Sequence, residues 1–293
     1  MGSKRIKKAL VVIIGIILLV FLLSVVRGFM GRPGERLGIV EIEGVISDSR
    51  QTMEDVIRFK EDPTIKGVIL RINSPGGSVG PTQEIYREVT KLKEKKKVFV
   101  SMGSVCASGG YYIAAAGEKV YANPSTITGS IGVIMQSVIL EELLKKIGVK
   151  SNTIKAGDLK DAGTPFREMT PEEKAYLNSV VGNIHEQFIR DVAAGRKMEF
   201  DRAKSLANGR IYTGLQAKEL GLVDNIGNFY DTVDDIRKAL NIKGKPQLIY
   251  TEKPFSFSKW FFGSLASIAS TASMSGESLE NFFSSPFKFL YTP

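Results

Sequence analysis

The sequence predicts an α/β domain with mainly parallel strands, set behind one apolar anchor segment. Three observations carry that reading. Apolar runs alternate with amphipathic stretches of 11–14 residues, the order expected when helices cross over between parallel strands. Some of those runs are continuously apolar, as strands covered on both faces are. Ahead of them all, "ALVVIIGIILLVFLLSVV" (9–26) holds no charge in eighteen positions.

As a helix, Ala9–Val26 spans roughly 27 Å, close to the hydrocarbon thickness of a bilayer. A cleaved signal peptide has a shorter apolar region, about 7–15 residues, followed by a small-x-small site. Here "RGFMGRPGER" follows instead, which favours an uncleaved anchor. Lys4, Arg5, Lys7 and Lys8 precede the segment and outnumber the dispersed Arg27, Arg32 and Arg36 after it. That asymmetry places the N-terminus in the cytoplasm and the body outside it. The expected division is a basic N-terminus (1–8), an anchor (9–26), a linker (27–36), the body (37–252) and an extension (253–293).

"RLGIVEIEG" (36–44) alternates apolar residues and reads as a strand. "TMEDVIRFKED" (52–62) is an amphipathic helix, and "KGVILRIN" (66–73) a strand buried on both faces. It ends in the loop "SPGGSVG" (74–80), and "TQEIYREVTKLKEK" (82–95) is helical by its spacing. "KVFVSM" (97–102) is a second buried strand, running into "VCASGGYYIAAAG" (105–117). "KVYA" (119–122), "SIGVI" (130–134) and "KSNTIKAG" (150–157) read as further strands, with a helix at "SVILEELLKKIG" (137–148). "TPEE" (170–173) opens a long helix, with Thr170 as N-cap, Pro171 at the first position and Glu173 closing a capping box. Three segments, "SPGGSVG", the Ser108 stretch and "AGDLKDAG" (156–163), fall after apparent strands, where active sites of such folds gather. The extension is rich in Phe and Ser; its aromatic clusters suit either a membrane interface or packing on the body or a neighbouring subunit.

The net charge of +9 invites a nucleic-acid partner, but seven of the 40 Lys/Arg flank the apolar segment against one acid, Glu35. The rest of the chain is near neutral, and nucleic-acid binding is excluded. Cys106 is the single cysteine, so no intrachain disulfide forms; it reads as a small buried residue rather than a rival nucleophile.

Small neighbours leave the hydroxyl of Ser108 open to a substrate. A serine needs a base to become a nucleophile. The only histidine, His185, lies in a long amphipathic helix and reads as a packing or surface residue. Lysine is the other base available to serine hydrolases, once its usual pKa of about 10.4 is lowered. Lys155 and Lys160 are the candidates in "TIKAGDLKDAGTP"; the glycine-flanked loop favours Lys160 and leaves Lys155 standing. "SPGG" can turn backbone amides toward an oxyanion, with the Gly109 amide as the usual second donor.

"RINSPGGSV" (71–79), "SMGSVCASGGYYIA" (101–114), "TGSIGVI" (128–134), "KAGDLKDAGTPFREMTPEE" (155–173) and "GRIYTGLQAKELGLVD" (209–224) occur in that order. Together they closely resemble the signal peptide peptidase SppA family in its short, single-domain form (peptidase family S49), over residues 37–250. The resemblance implies a ClpP/crotonase-like fold of repeated β-β-α units, and an endopeptidase with a Ser/Lys dyad that cuts remnant signal peptides at the membrane. On this chain it implies Ser108 as nucleophile, Lys160 as general base in preference to Lys155, and Gly77 and Gly109 as oxyanion donors. Ser130 is left as a hydroxyl that could orient the lysine amine. No metal or cofactor is implied. The implied partners are peptide substrates, the lipid bilayer, and further copies of the chain in an octamer where Ser108 and Lys160 come from adjacent subunits. The rival readings are a ClpP-like protease using histidine, which would want one near position 133, where Val133 stands; a crotonase-type acyl-CoA enzyme; and an inactive membrane scaffold.

Overall fold

The two longest apolar runs form the centre of the sheet. In the computed structural model, which describes residues 13–21, 35–251 and 287–290, β2 (Ile65–Ser78) pairs in parallel with β1 (Arg36–Ile46) on one edge and β3 (Lys97–Ala107) on the other. Beyond them β9 (Gln247–Tyr250) extends β1, and β4 (Lys119–Ala122) and β8 (Asn225–Ile226) extend β3, all in parallel. β5 (Ile127–Gly129) pairs with the end of β3 and, antiparallel, with β7 (Ile211–Thr213). The result is a mixed α/β body with a mainly parallel sheet.

Both faces of the centre are covered, which is why its strands read as unbroken apolar runs. Val68, Leu70, Ile72, Val98, Val100 and Met102 join one cluster with residues of α2 (Arg50–Glu61), α3 (Val79–Lys95), α4 (Gly109–Ala115) and α6 (Pro171–Arg196). The intervening Ile69 and Phe99 face the other way, packing with Val233 and Ile236 of α9 (Phe229–Ala239). Thr170 caps α6 as expected: its hydroxyl accepts from the Glu173 amide, and the Glu173 carboxylate accepts from the Thr170 amide.

Four sequence expectations are corrected. "SPGG" is not a loop: β2 runs on through it, because β1 continues to pair as far as Ile46 opposite Gly77. Residues 130–133 are not a strand; the pairing residues lie on either side, in β5 and in β6 (Ile134–Met135). The helix expected at 137–148 is regular only over α5 (Glu141–Lys146). Residues 150–157 form no strand, and no described segment pairs with them. The loop bearing Lys160 therefore does not follow a strand end. Further on, α7 (Phe200–Leu206) and α8 (Gly214–Glu219) complete the body.

Of the expected anchor, residues 13–21 are described; they form a helix, α1, whose side chains are exposed. Among the described residues no helix is long and apolar enough to cross a membrane. The rest of the 9–26 segment, the linker to residue 34, and the tail over 252–286 lie outside the described residues. β10 (Phe287–Leu290) is described, and it pairs with β2 and β6.

Candidate active site

Ser108 sits where β3 gives way to α4, and it is held in a conformation few residues adopt. Its backbone has φ 51° and ψ −116°, a sparsely populated region that persists only where surroundings impose it. The surroundings are legible. The Ser108 amide donates to the Gly129 carbonyl at 2.8 Å, and the Ser108 carbonyl accepts from the Tyr112 amide at 2.8 Å. α4 behind it is buried throughout. Tyr111 donates through its hydroxyl to the Leu222 carbonyl, and the Tyr112 ring packs against Tyr86 and Phe188. Gly110 lets α4 approach β2: a Cβ there would lie 2.9 Å from the Ser74 carbonyl oxygen. A strand-to-helix turn with a strained serine at its apex is a recurrent way to present a nucleophile.

The Ser108 hydroxyl is itself buried and meets no hydrogen-bond partner among the described residues. His185 Nε2 is likewise buried and unpartnered, so the two are not bonded to each other. His185 instead lines a cavity of about 820 Å³ with Ser130, Asn178, Asn208 and Arg210. Cys106, two residues before the serine, is completely buried, and burial pushes its thiol far above the usual range.

Gly77 lies in β2, flanked by Gly76 at φ 100°. Only glycine fits at 77: a Cβ would stand 2.1 Å from the Ile46 carbonyl oxygen. Sequence reasoning missed Ser74, a buried residue whose hydroxyl accepts from the Gly76 amide at 3.1 Å and so sets the course of the glycine pair. Gly109 opens α4, where first-turn amides have no acceptor within the helix. Ser130, buried at positive φ (51°), donates its amide to the Arg210 carbonyl.

Lys155 and Lys160 occupy different circumstances. Lys155 is fixed: its ammonium donates to the Asp158 carbonyl at 2.6 Å and pairs with Asp161 at 2.5 Å. Arg167 extends the brace, pairing with Asp161 at 2.9 Å and Glu173 at 2.5 Å. Arg167 holds the Glu173 carboxyl down to about 2, and Lys155 is the main cause of a lowered value at Asp161. This brace was not foreseen, although the Thr170/Glu173 box that anchors it was. Lys160 sits in the turn that the brace supports, exposed, with no hydrogen bond or ion pair to its ammonium among the described residues. Among the described residues no three His, Cys, Asp or Glu side chains group as metal ligands.

Among the described residues the body thus offers a strained, buried serine, a glycine-edged strand, a first-turn amide, and a lysine without a partner on a braced loop. Comparisons with known proteins agree with that chemistry. The model of peptidase family S49 matches residues 90–243, and that of Clp protease matches residues 39–136. A Synechocystis protein provisionally named a protease is 42% identical over 198 residues, covering 67% of this chain and 72% of the relative. An Enterococcus faecium protein provisionally named signal peptide peptidase SppA is 34% identical over 247 residues, covering 80% of this chain and 72% of the relative. The chloroplast serine protease SPPA of Arabidopsis thaliana is 33% identical over 221 residues, covering 75% of this chain and 31% of its own.

Proposed function

We propose, on the premise that this chain belongs to peptidase family S49, that it is a membrane-anchored serine endopeptidase whose Ser108 is activated by Lys160 of an adjacent subunit. Its substrates are remnant signal peptides and other peptides at the membrane. The observation that carries the reading is a double vacancy within one chain. Ser108 is a buried hydroxyl with no base, and Lys160 is an exposed ammonium with no partner, among the described residues.

Lys160, as the neutral amine, takes the Ser108 proton as Oγ attacks the scissile carbonyl carbon. The amides of Gly77 and Gly109 receive the charge that develops on the carbonyl oxygen. The resulting lysine ammonium returns the proton to the leaving amine, and water then hydrolyses the acyl-serine with Lys160 again as base. Val138, Leu143, Ile147, Ile154 and Phe166 are each exposed on the segments flanking the lysine loop, and contact with a second copy of the chain would cover such apolar side chains. The anchor expected at 9–26 would keep the body beside the lipid, where released signal peptides remain.

The test is Ser108→Ala and Lys160→Ala in the full chain, assayed on a signal-peptide substrate. Each is expected to lower kcat by roughly a thousandfold or more, as losing a nucleophile or its base does. Near-normal hydrolysis by Lys160→Ala would remove the lysine from the mechanism.

A further inference from the structure

The parallel sheet has two ends, and they differ in charge. Where the strands begin, Arg36 opens β1, Lys66 lies one residue into β2, and Lys97 and Lys119 open β3 and β4. Helices that cross back finish at the same end, α3 at Lys95 and α6 at its cap Lys197. The Lys243 amide donates to the Glu35 carboxylate beside Arg36, and Lys245 precedes β9, whose Gln247 pairs with Arg36. Toward the other end of β1, Glu43, Asp48 and Asp55 line a cavity instead.

The positive charge where the strands begin is only partly answered. Lys97 pairs with Glu118 and Lys119 with Asp235. Lys66, Lys95, Lys197, Lys243 and Lys245 are exposed and hold no ion pair among the described residues. Glu61, at the end of α2, and Glu94, in the last turn of α3, are exposed acids on the same edge. Two partly buried lysines feel the surplus. Lys93 and Lys96 are both held below the usual lysine range, with burial as the first cause. Lys197 and Arg196 press Lys93 further down against the pull of Glu118, and Lys66 and Lys95 do the same to Lys96 against Asp62.

This edge is also where the chain arrives from the anchor expected at 9–26. The ten residues 27–36 include three arginines and span at most about 35 Å when extended. We propose that the starting edge of the sheet rests on the membrane, its lysines against anionic lipid headgroups, with the serine turn at the far end from the lipid. The inference rests on the reading of 9–26 as an anchor and not on the chemistry of Ser108. A lysine within a Debye length of an anionic surface, about 8 Å at physiological salt, favours the bound state roughly fivefold. Five such lysines set an orientation that a tether alone does not. Roughly 40 Å of β2 separates Ile65 from Gly77, so a peptide leaves the lipid before it reaches Ser108.

The experiment uses the full chain in phosphatidylcholine vesicles with and without phosphatidylglycerol, its lysines labelled by a membrane-impermeant acetylating reagent and read by mass spectrometry. Lys66, Lys95, Lys197, Lys243 and Lys245 are expected to label about fivefold more slowly on the anionic vesicles. Lys174, in the first turn of α6, should label equally on both. Salt near 1 M, where the Debye length is about 3 Å, should abolish the difference. Replacing Lys95, Lys197, Lys243 and Lys245 together by Gln should also expose Lys66, with hydrolysis of a short soluble peptide unchanged. Equal labelling on both vesicles, in a chain that floats with both, would overturn the proposal and leave the anchor reading intact. Salt-sensitive protection on anionic vesicles, in a chain that does not float with neutral ones, would support the lipid-facing edge and overturn the anchor reading. Protection of the same lysines by an RNA oligonucleotide but by neither vesicle would overturn the proposal in favour of a nucleic-acid surface.

Discussion

The Ser108 amide and the Gly129 carbonyl, 2.8 Å apart, tie the serine turn to β5. Gly129 itself has φ +79°, and a Cβ there would meet the Tyr212 ring at 2.6 Å and the Arg210 carbonyl oxygen at 3.1 Å. An alanine at 129 must push β5 away from β7, and the displacement passes directly to Ser108. Gly129→Ala is expected to cost about a hundredfold in kcat, the scale of a 1 Å misplacement at a reacting group, with a much smaller change in KM. Steady-state kinetics on a folded variant, its fold confirmed by circular dichroism, check this; an unchanged kcat would show that the tie does not position the serine.

Mixing provides a sharper view of the lysine. If serine and base come from adjacent subunits, oligomers assembled from equal amounts of Ser108→Ala and Lys160→Ala chains contain some sites with both groups intact. Random assembly around a head-to-tail ring leaves about a quarter of the sites active, from two chains that are each inactive alone. Co-refolding the two variants and measuring hydrolysis tests this. Absence of any recovery in verified mixed oligomers would place both groups in one chain.

What the sequence made legible follows from how local each signal is. Burial on both faces left unbroken apolar runs at β2 and β3, and capping chemistry marked the start of α6 to the residue. "SPGG" misled because Pro and Gly suggest a turn. Its strand character comes from β1, whose Ile46 carbonyl comes so close that only glycine fits at 77. Residues 150–157 read as a strand between a helix and a loop, but pairing needs a partner edge, which no local pattern reports. Lys155 and Lys160 looked alike for a similar reason. The difference lies in Asp161, which pairs with Lys155 and leaves Lys160 without a partner among the described residues. The tail strand carried no pairing signal of its own; its place depends on the edge that β3 abandons.

The brace under the lysine loop is expected to respond to acid. Asp161 and Glu173 are held below their ordinary values, Glu173 from 4.5 to about 2, with hydrogen bonds from Lys155 and Arg167 respectively as the first causes. A carboxylate with a depressed folded value stabilises above its unfolded value, and that contribution is lost as pH falls through the folded one. The brace should hold at neutral pH and loosen between about pH 4.5 and 2. Pepsin cleavage within residues 155–173 should rise across that window. Glu173→Gln should show the loosened loop already at neutral pH, read by faster tryptic cleavage. A cleavage rate that stays flat down to pH 2 would show that these carboxylates do not hold the loop.

The remaining nucleophile and base in the sequence are expected to be silent, for separate physical reasons. Cys106 is fully buried, and burial raises its thiol far beyond the range where a thiolate forms. Iodoacetamide should leave the native protein unlabelled and fully active, and label it only after unfolding. His185 faces a cavity it shares with Ser130 and Arg210, but its buried Nε2 meets no hydrogen-bond partner among the described residues, the Ser108 hydroxyl included. His185→Ala should therefore keep kcat within about twofold of the parent, since a group outside the reacting centre contributes no transition-state stabilisation. Retained folding with a thousandfold loss in that variant would instead recruit the histidine as base, and would require the cavity wall to close onto the serine when substrate binds.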